Sequence, residues 1–142
     1  MLKGIPPIVG PDLLYVLQAM GHGDQITIVD GNYPGDSAGP ELVRMDGHSA
    51  TDILDAILTL MPLDTFVDDP AIAMQVVGDA GRREPIIDEF ETIIKKHEPA
   101  MGIITMERFA FYERANSGYA IVQTGERRLY GNLILKKGVI RP

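Results

Sequence analysis

Short β-branched apolar runs alternate along this chain with stretches whose apolar residues recur every three or four positions. This alternation constrains the fold more than any other feature, because strand–helix–strand successions pack as a sheet with helices on its faces. A helix is predicted over 12–20, where Leu13, Leu14, Leu17 and Met20 share one face. Pro11 suits its first turn and Gly21 supplies a stop. Residues 25–29, Gln-Ile-Thr-Ile-Val, read as a strand. A Gly/Pro-rich loop over 30–40 and a short strand over 42–45 follow. Ser49 opens a near capping box before Ile53, Leu54, Ile57, Leu58 and Leu60, a helix closed at Pro62. Further strands are predicted over 71–77, 102–106, 119–123 and 133–135, with helices over 84–96 and 109–115. The expected architecture is an α/β, three-layer single domain over residues 1–142, its largely parallel sheet flanked by helices. Its connections should be right-handed crossovers. The last two strands lie too close for a crossover, which leaves an antiparallel pairing between them.

Composition narrows the function. The 142 residues carry a net charge of -7, and the basic pairs Arg82-Arg83, Lys95-Lys96, Arg127-Arg128 and Lys136-Lys137 are scattered. Phosphate backbones require a clustered basic surface, so no nucleic acid partner is expected. No run approaches the roughly 18 apolar residues of a membrane span, and prolines break residues 1–7, so neither a membrane association nor a signal peptide is expected. Cysteine is absent, which removes thiolate chemistry and fits a reducing, cytoplasmic setting.

Four places could carry chemistry. In Gly21-His22-Gly23-Asp24 two glycines free the backbone around a histidine, the side-chain type suited to passing protons near neutral pH. A plain polar turn fits the same residues. Asp30 directly follows the strand over 25–29, where α/β sheets gather their ligands, although Asp-Gly is also a common turn pair. Arg108, with Phe109, Phe111 and Tyr112, offers a planar fork of donors beside aromatic rings, or a core cluster flanked by charge. Tyr130-Gly131-Asn132 supplies a hydroxyl, an amide and a close backbone approach, or a strand-entry turn. His48 and His97 flank predicted helices and read as solvated terminal residues. The spacing of His22, Asp24 and Asp30 matches no standard metal site, so no metal is expected.

Taken together, Gly21-His22-Gly23-Asp24, Asp30, the block from Arg108 to Ala115, Thr124-Gly125-Glu126-Arg127 and Tyr130-Gly131-Asn132 resemble the RbsD/FucU family of sugar pyranases and mutarotases. The resemblance runs in order over nearly the whole chain, and the block at 108–115 looks most like the fucose branch. It implies metal-free, cofactor-free interconversion of monosaccharide anomers, with His22 as proton donor. Asp30, Arg108, Tyr130, Gly131 and Asn132 would hold a fucose-like sugar. It also implies a ring-like homo-oligomer, often a decamer, with sites near subunit contacts. A sugar-binding protein without turnover and a ribose pyranase are the competing implications. The stretch over 71–100 departs from the family pattern.

Overall fold

The computed structural model describes all 142 residues. Its elements are α1 (Pro11–Ala19), β1 (Gln25–Val29), β2 (Glu41–Met45), α2 (Ala50–Leu60), β3 (Ala71–Met74), α3 (Pro85–His97), β4 (Ile104–Met106), α4 (Arg108–Asn116), β5 (Ala120–Thr124) and β6 (Leu133–Lys136). The strands form one sheet in the order β2-β5-β1-β6-β3-β4. β1, β2, β5, β3 and β4 all run one way, and β6 alone runs against them, antiparallel to both β1 and β3.

Side chains alternate across the sheet with the period of two that strands impose. Ile26, Ile28, Ala71, Ala73, Val122, Leu133 and Leu135 join Leu13, Ile53, Leu54, Phe90 and Ile94 in the larger core, so α1, α2 and α3 cover that face. Val29, Ile72, Met74, Ile121 and Ile134 face the other way, onto Phe111 and Ala115 of α4. The expected three layers are present, and no helix is long and apolar enough to cross a membrane.

Local chemistry sets the element ends. The Ser49 side chain accepts from Asp52 N–H and caps α2. Glu107 accepts from the amides of Phe109 and Ala110, which starts α4 at Arg108. The Lys137 ammonium donates to the carbonyls of Leu17 (2.7 Å) and Met20 (2.5 Å) at the open end of α1.

Two expectations are corrected. The apolar run over 71–77 is strand only to Met74, because the chain turns at Gly78, where φ is 77°. The last two strands do not pair with each other: β1 lies between them, parallel to β5 and antiparallel to β6. β5 lies between β1 and β2 and is parallel to both, and the reversed β6 pairs with β1's other edge.

Gly125 marks the tightest packing at the sheet end. A Cβ there would lie 2.0 Å from the Asp46 carbonyl oxygen, a backbone atom that cannot swing aside. Replacing Gly125 with Ala should therefore cost roughly 1–3 kcal/mol of unfolding free energy, as overpacking does. Urea denaturation measures it, and an unchanged midpoint would show that the β2–α2 turn yields freely.

Candidate active site

The reversed strand β6 begins where β1 ends, and this places Asn132 against Asp30 across a hundred residues of sequence. Asp30 N–H donates to Asn132 Oδ1 (2.9 Å), and Asn132 Nδ2 donates back to Asp30 Oδ2 (3.0 Å). The second carboxylate oxygen accepts from Asn32 N–H (2.9 Å). Gln123, at the end of β5, holds the Asp30 carbonyl at 2.7 Å. Burial pushes the Asp30 carboxyl above its ordinary pKa, although the bonds from Asn32 and Asn132 pull the other way.

A cavity of about 220 Å³ opens over this pair. That is below the roughly 300–1,000 Å³ of drug-sized sites and suits one small ring. Arg108, Tyr112, Asn32 and Tyr33 enclose it with Asp30, Tyr130 and Asn132, beside the apolar Met74, Val77 and Leu129. Arg108 stands at the first position of α4 with its guanidinium 4.5 Å from the Phe109 ring centre. Its buried Nε has no partner, and neither does the buried Tyr33 hydroxyl. Buried polar atoms are nearly always paired, so these two, on side chains that line the cavity, stand out as its unsatisfied polar groups. Burial also raises the Tyr33 phenol well above its ordinary pKa, which keeps it a neutral donor.

Tyr130 adopts φ 62°, the left-handed region that side chains rarely occupy. Its hydroxyl accepts from Val77 N–H at 3.1 Å, tying the β6 entry to the turn after β3. Gly131 is required by space: a Cβ would sit 2.9 Å from Glu126 Cγ and 3.0 Å from Ile86 Cδ1. Glu126 anchors the same loop. Its carboxylate accepts from Arg128 and from Ala50 N–H, while its carbonyl accepts from Gly31 N–H.

His22 stands elsewhere. It precedes β1 whereas Asp30 follows it, and that five-residue strand alone spans about 17 Å. Within one protomer the structure therefore brings together Asp30, Arg108, Tyr130 and Asn132. Gly131 does not line their pocket but packs behind it against Glu126 and Ile86, and His22 lies outside. The histidine is nonetheless held: its Nε2 lies 3.1 Å from Asp64 Oδ1, and its ring packs 5.5 Å from that of Phe66. Asp64 is buried. Burial alone would raise its pKa, but the Phe66 amide and His22 outweigh this and leave it below the usual value. An acceptor-only carboxylate assigns the hydrogen to Nε2 and leaves Nδ1 as the basic atom. The side chain of His22 remains 45% exposed, so another molecule can reach it. Sequence reasoning missed Asp64, Asn32 and Tyr33. The last two follow Asp30 closely enough to have been nominated with it, whereas Asp64 carries no motif. Nowhere do three His, Asp or Glu side chains gather in a form that would hold a metal.

The fold and this pocket define a class: a three-layer α/β protein with a small site, lined by hydrogen-bonding side chains, at the end of its sheet. Residues 3–140 match the RbsD / FucU transport protein family, and the chain belongs to that family. It is 45% identical to the fucose mutarotase of Homo sapiens, over 98% of this chain and 94% of that protein. The crystal structure of FucU from Bifidobacterium longum superposes with a TM-score of 0.93 at 50% identity, covering 98% of this chain and 100% of that one. The fucose mutarotase of Streptococcus pneumoniae, solved in complex with L-fucose, gives a TM-score of 0.90 at 45% identity, with 99% and 100% covered.

The Glu126 carboxyl is pulled down to about 2, first by its bonds from Arg128. A carboxyl depressed by folding contributes stability above its unfolded value of 4.5, and that contribution is lost as pH falls toward 2. Glu126→Gln should flatten the acid limb of the stability–pH curve over that window. An identical limb in both proteins would remove Glu126 as the anchor of the loop.

Proposed function

We propose that this protein is an L-fucose mutarotase, an isomerase that interconverts the α and β anomers of the free sugar. The observation that carries the reading is full-length identity near 45% to fucose mutarotases, one of them solved with L-fucose, in a chain whose hydroxyl-binding residues meet in one pocket. Residues 1–142 act as one mutarotase domain in the cytoplasm. Asp30, Arg108, Tyr130 and Asn132 bind the sugar, with Gly131 packed behind them, and His22 transfers the proton.

The chemistry needs little apparatus. The anomeric hydroxyl loses a proton, the ring oxygen gains one, and the C1–O5 bond breaks to give the open aldehyde. Rotation about C1–C2 and the reverse transfers close the ring on its other face. Atoms and electrons balance without an added reagent. One acid/base side chain, worth roughly 10²–10⁴-fold, is adequate for a reaction that already proceeds slowly in water. Asp30 and the unpartnered donors of Arg108 and Tyr33 hold the remaining hydroxyls while the bond breaks.

Because β1 separates His22 from the pocket, the histidine serves the pocket of a second copy. Exposed apolar residues lie at both ends: Phe66 beside His22, and Phe109 and Leu129 around the pocket. A contact between two different surfaces of one chain repeats from copy to copy and yields a ring where the rotation closes. We propose such a homo-oligomer, with a decamer as the expected size.

Saturation-transfer NMR on equilibrated L-fucose tests the activity. Fast exchange between the anomer signals is expected; binding without exchange would leave a sugar-binding protein, and faster exchange of D-ribose a pyranase. His22→Ala should fold normally and lose about 10²–10⁴-fold of the exchange. Mixed and reassembled, His22→Ala and Arg108→Ala subunits should regain part of it, because some sites then combine an intact histidine with an intact pocket. Full activity in light-scattering fractions of one 15.5 kDa protomer would refute the shared site.

A further inference from the structure

The walls of the pocket differ in chemistry, and the sheet order says which lies where. Asp30 ends β1 and Asn132 begins β6, so the polar pair occupies the β1–β6 side. The next strand across is β3, and its last residue is Met74. Val77 follows, fixed by the bond from its amide to the Tyr130 hydroxyl. Met74 and Val77 both line the cavity, and no polar side chain joins them from this segment. The residues between them face only the adjacent groove, which Val77 and Arg108 also border: Gln75 and Val76 line it, and Gln75 Nε2 donates to Thr105 at 3.4 Å. Met74 is packed into the smaller core, with 5% of its surface exposed. Val77 is 52% exposed, an apolar side chain on the rim of the cavity.

L-Fucose has a matching asymmetry. Its hydroxyls lie on C1 to C4, and C5 carries a methyl group in place of a hydroxymethyl. With the hydroxyls on the Asp30–Asn132 side, the methyl falls toward the end of β3. We propose that Met74 and Val77 form a methyl seat that makes 6-deoxy sugars the preferred substrates, an inference that rests on the mutarotase reading above. The physical reason is twofold. A methyl group against a thioether and an isopropyl group removes apolar surface from water. A hydroxymethyl in the same place buries a hydroxyl against Met74 and Val77, neither of which carries a side-chain hydrogen-bonding group, and a buried polar group without a hydrogen bond is costly.

Three sugars of the same ring stereochemistry isolate the seat: L-fucose with the methyl, D-arabinose with hydrogen there, and L-galactose with the hydroxymethyl. Exchange rates per protomer, each divided by that sugar's uncatalysed rate and taken at limiting sugar, are the readout. L-Fucose should exceed D-arabinose by about tenfold and L-galactose by about 10–200-fold, the span open to a hydrophobic pocket. Met74→Gln, of similar size, should lower the fucose-to-galactose ratio about tenfold. Val77→Thr, at an exposed position where folding is not at stake, should lower it severalfold and keeps the inference testable if Met74→Gln fails to fold. Equal exchange of L-fucose and L-galactose by the natural protein would overturn the seat and leave the mutarotase standing, as would an unchanged ratio in the folded variants. Exchange of none of the three sugars would overturn the mutarotase itself, and the seat with it.

Discussion

One reversed strand organises this molecule. β6 enters the sheet against the direction of its neighbours, and it is hydrogen-bonded on both sides, to β1 and β3. An all-parallel sheet would put the amino end of every strand at the far edge from Asp30. Reversal instead delivers the residues just before β6 to the carboxyl ends of β1 and β3, where open α/β sheets bind their ligands. The Asp30–Asn132 pair, the Tyr130–Val77 tie and the Gly131 close approach all follow from that placement.

Electrostatics then divides the acidic groups by task. Glu126 is ion-paired and strongly acidic, and it serves the backbone of its loop. Asp30 has no cation bonded to it, sits largely dehydrated and is held by amides alone. A carboxylate satisfied by neutral donors retains acceptor capacity toward a polyol that one locked to arginine would have surrendered. Arg108 shows the complement: a guanidinium stacked on Phe109, with no acidic partner to occupy its fork.

Much of this was legible in the residues. The period-two and period-3.6 patterns located the helices and strands, since each face of the sheet is buried against apolar partners. Asp30 and Tyr130-Gly131-Asn132 stood out because turn chemistry and functional chemistry share their residue types. Strand order was not legible: whether β5 neighbours β6 or β1 depends on long-range pairing, which no local pattern encodes. The run after Met74 keeps its β-branched character, so only the left-handed turn at Gly78 ends the strand. The separation of His22 from Asp30 could have been counted from the strand between them, yet motif reasoning treats nearby residues as one site. Asp64 offered no signal, being a single carboxylate beyond a helix until folding buries it beside His22.

Both ends of β6 are committed. Asn132, just before it, bonds Asp30 at the pocket, and Lys137, just after it, bonds the end of α1 beside the loop that carries His22. Gly23 N–H and Asp24 O pair with the same lysine's backbone. The strand thus acts as a ruler with a contact at each mark. Inserting or deleting one residue would shift one mark by about 3.3 Å and turn the intervening side chains to the opposite face. Length variation along a lineage of such proteins should therefore accumulate in the turns over 78–84 and 98–103, while the span from 130 to 138 drifts only by substitution.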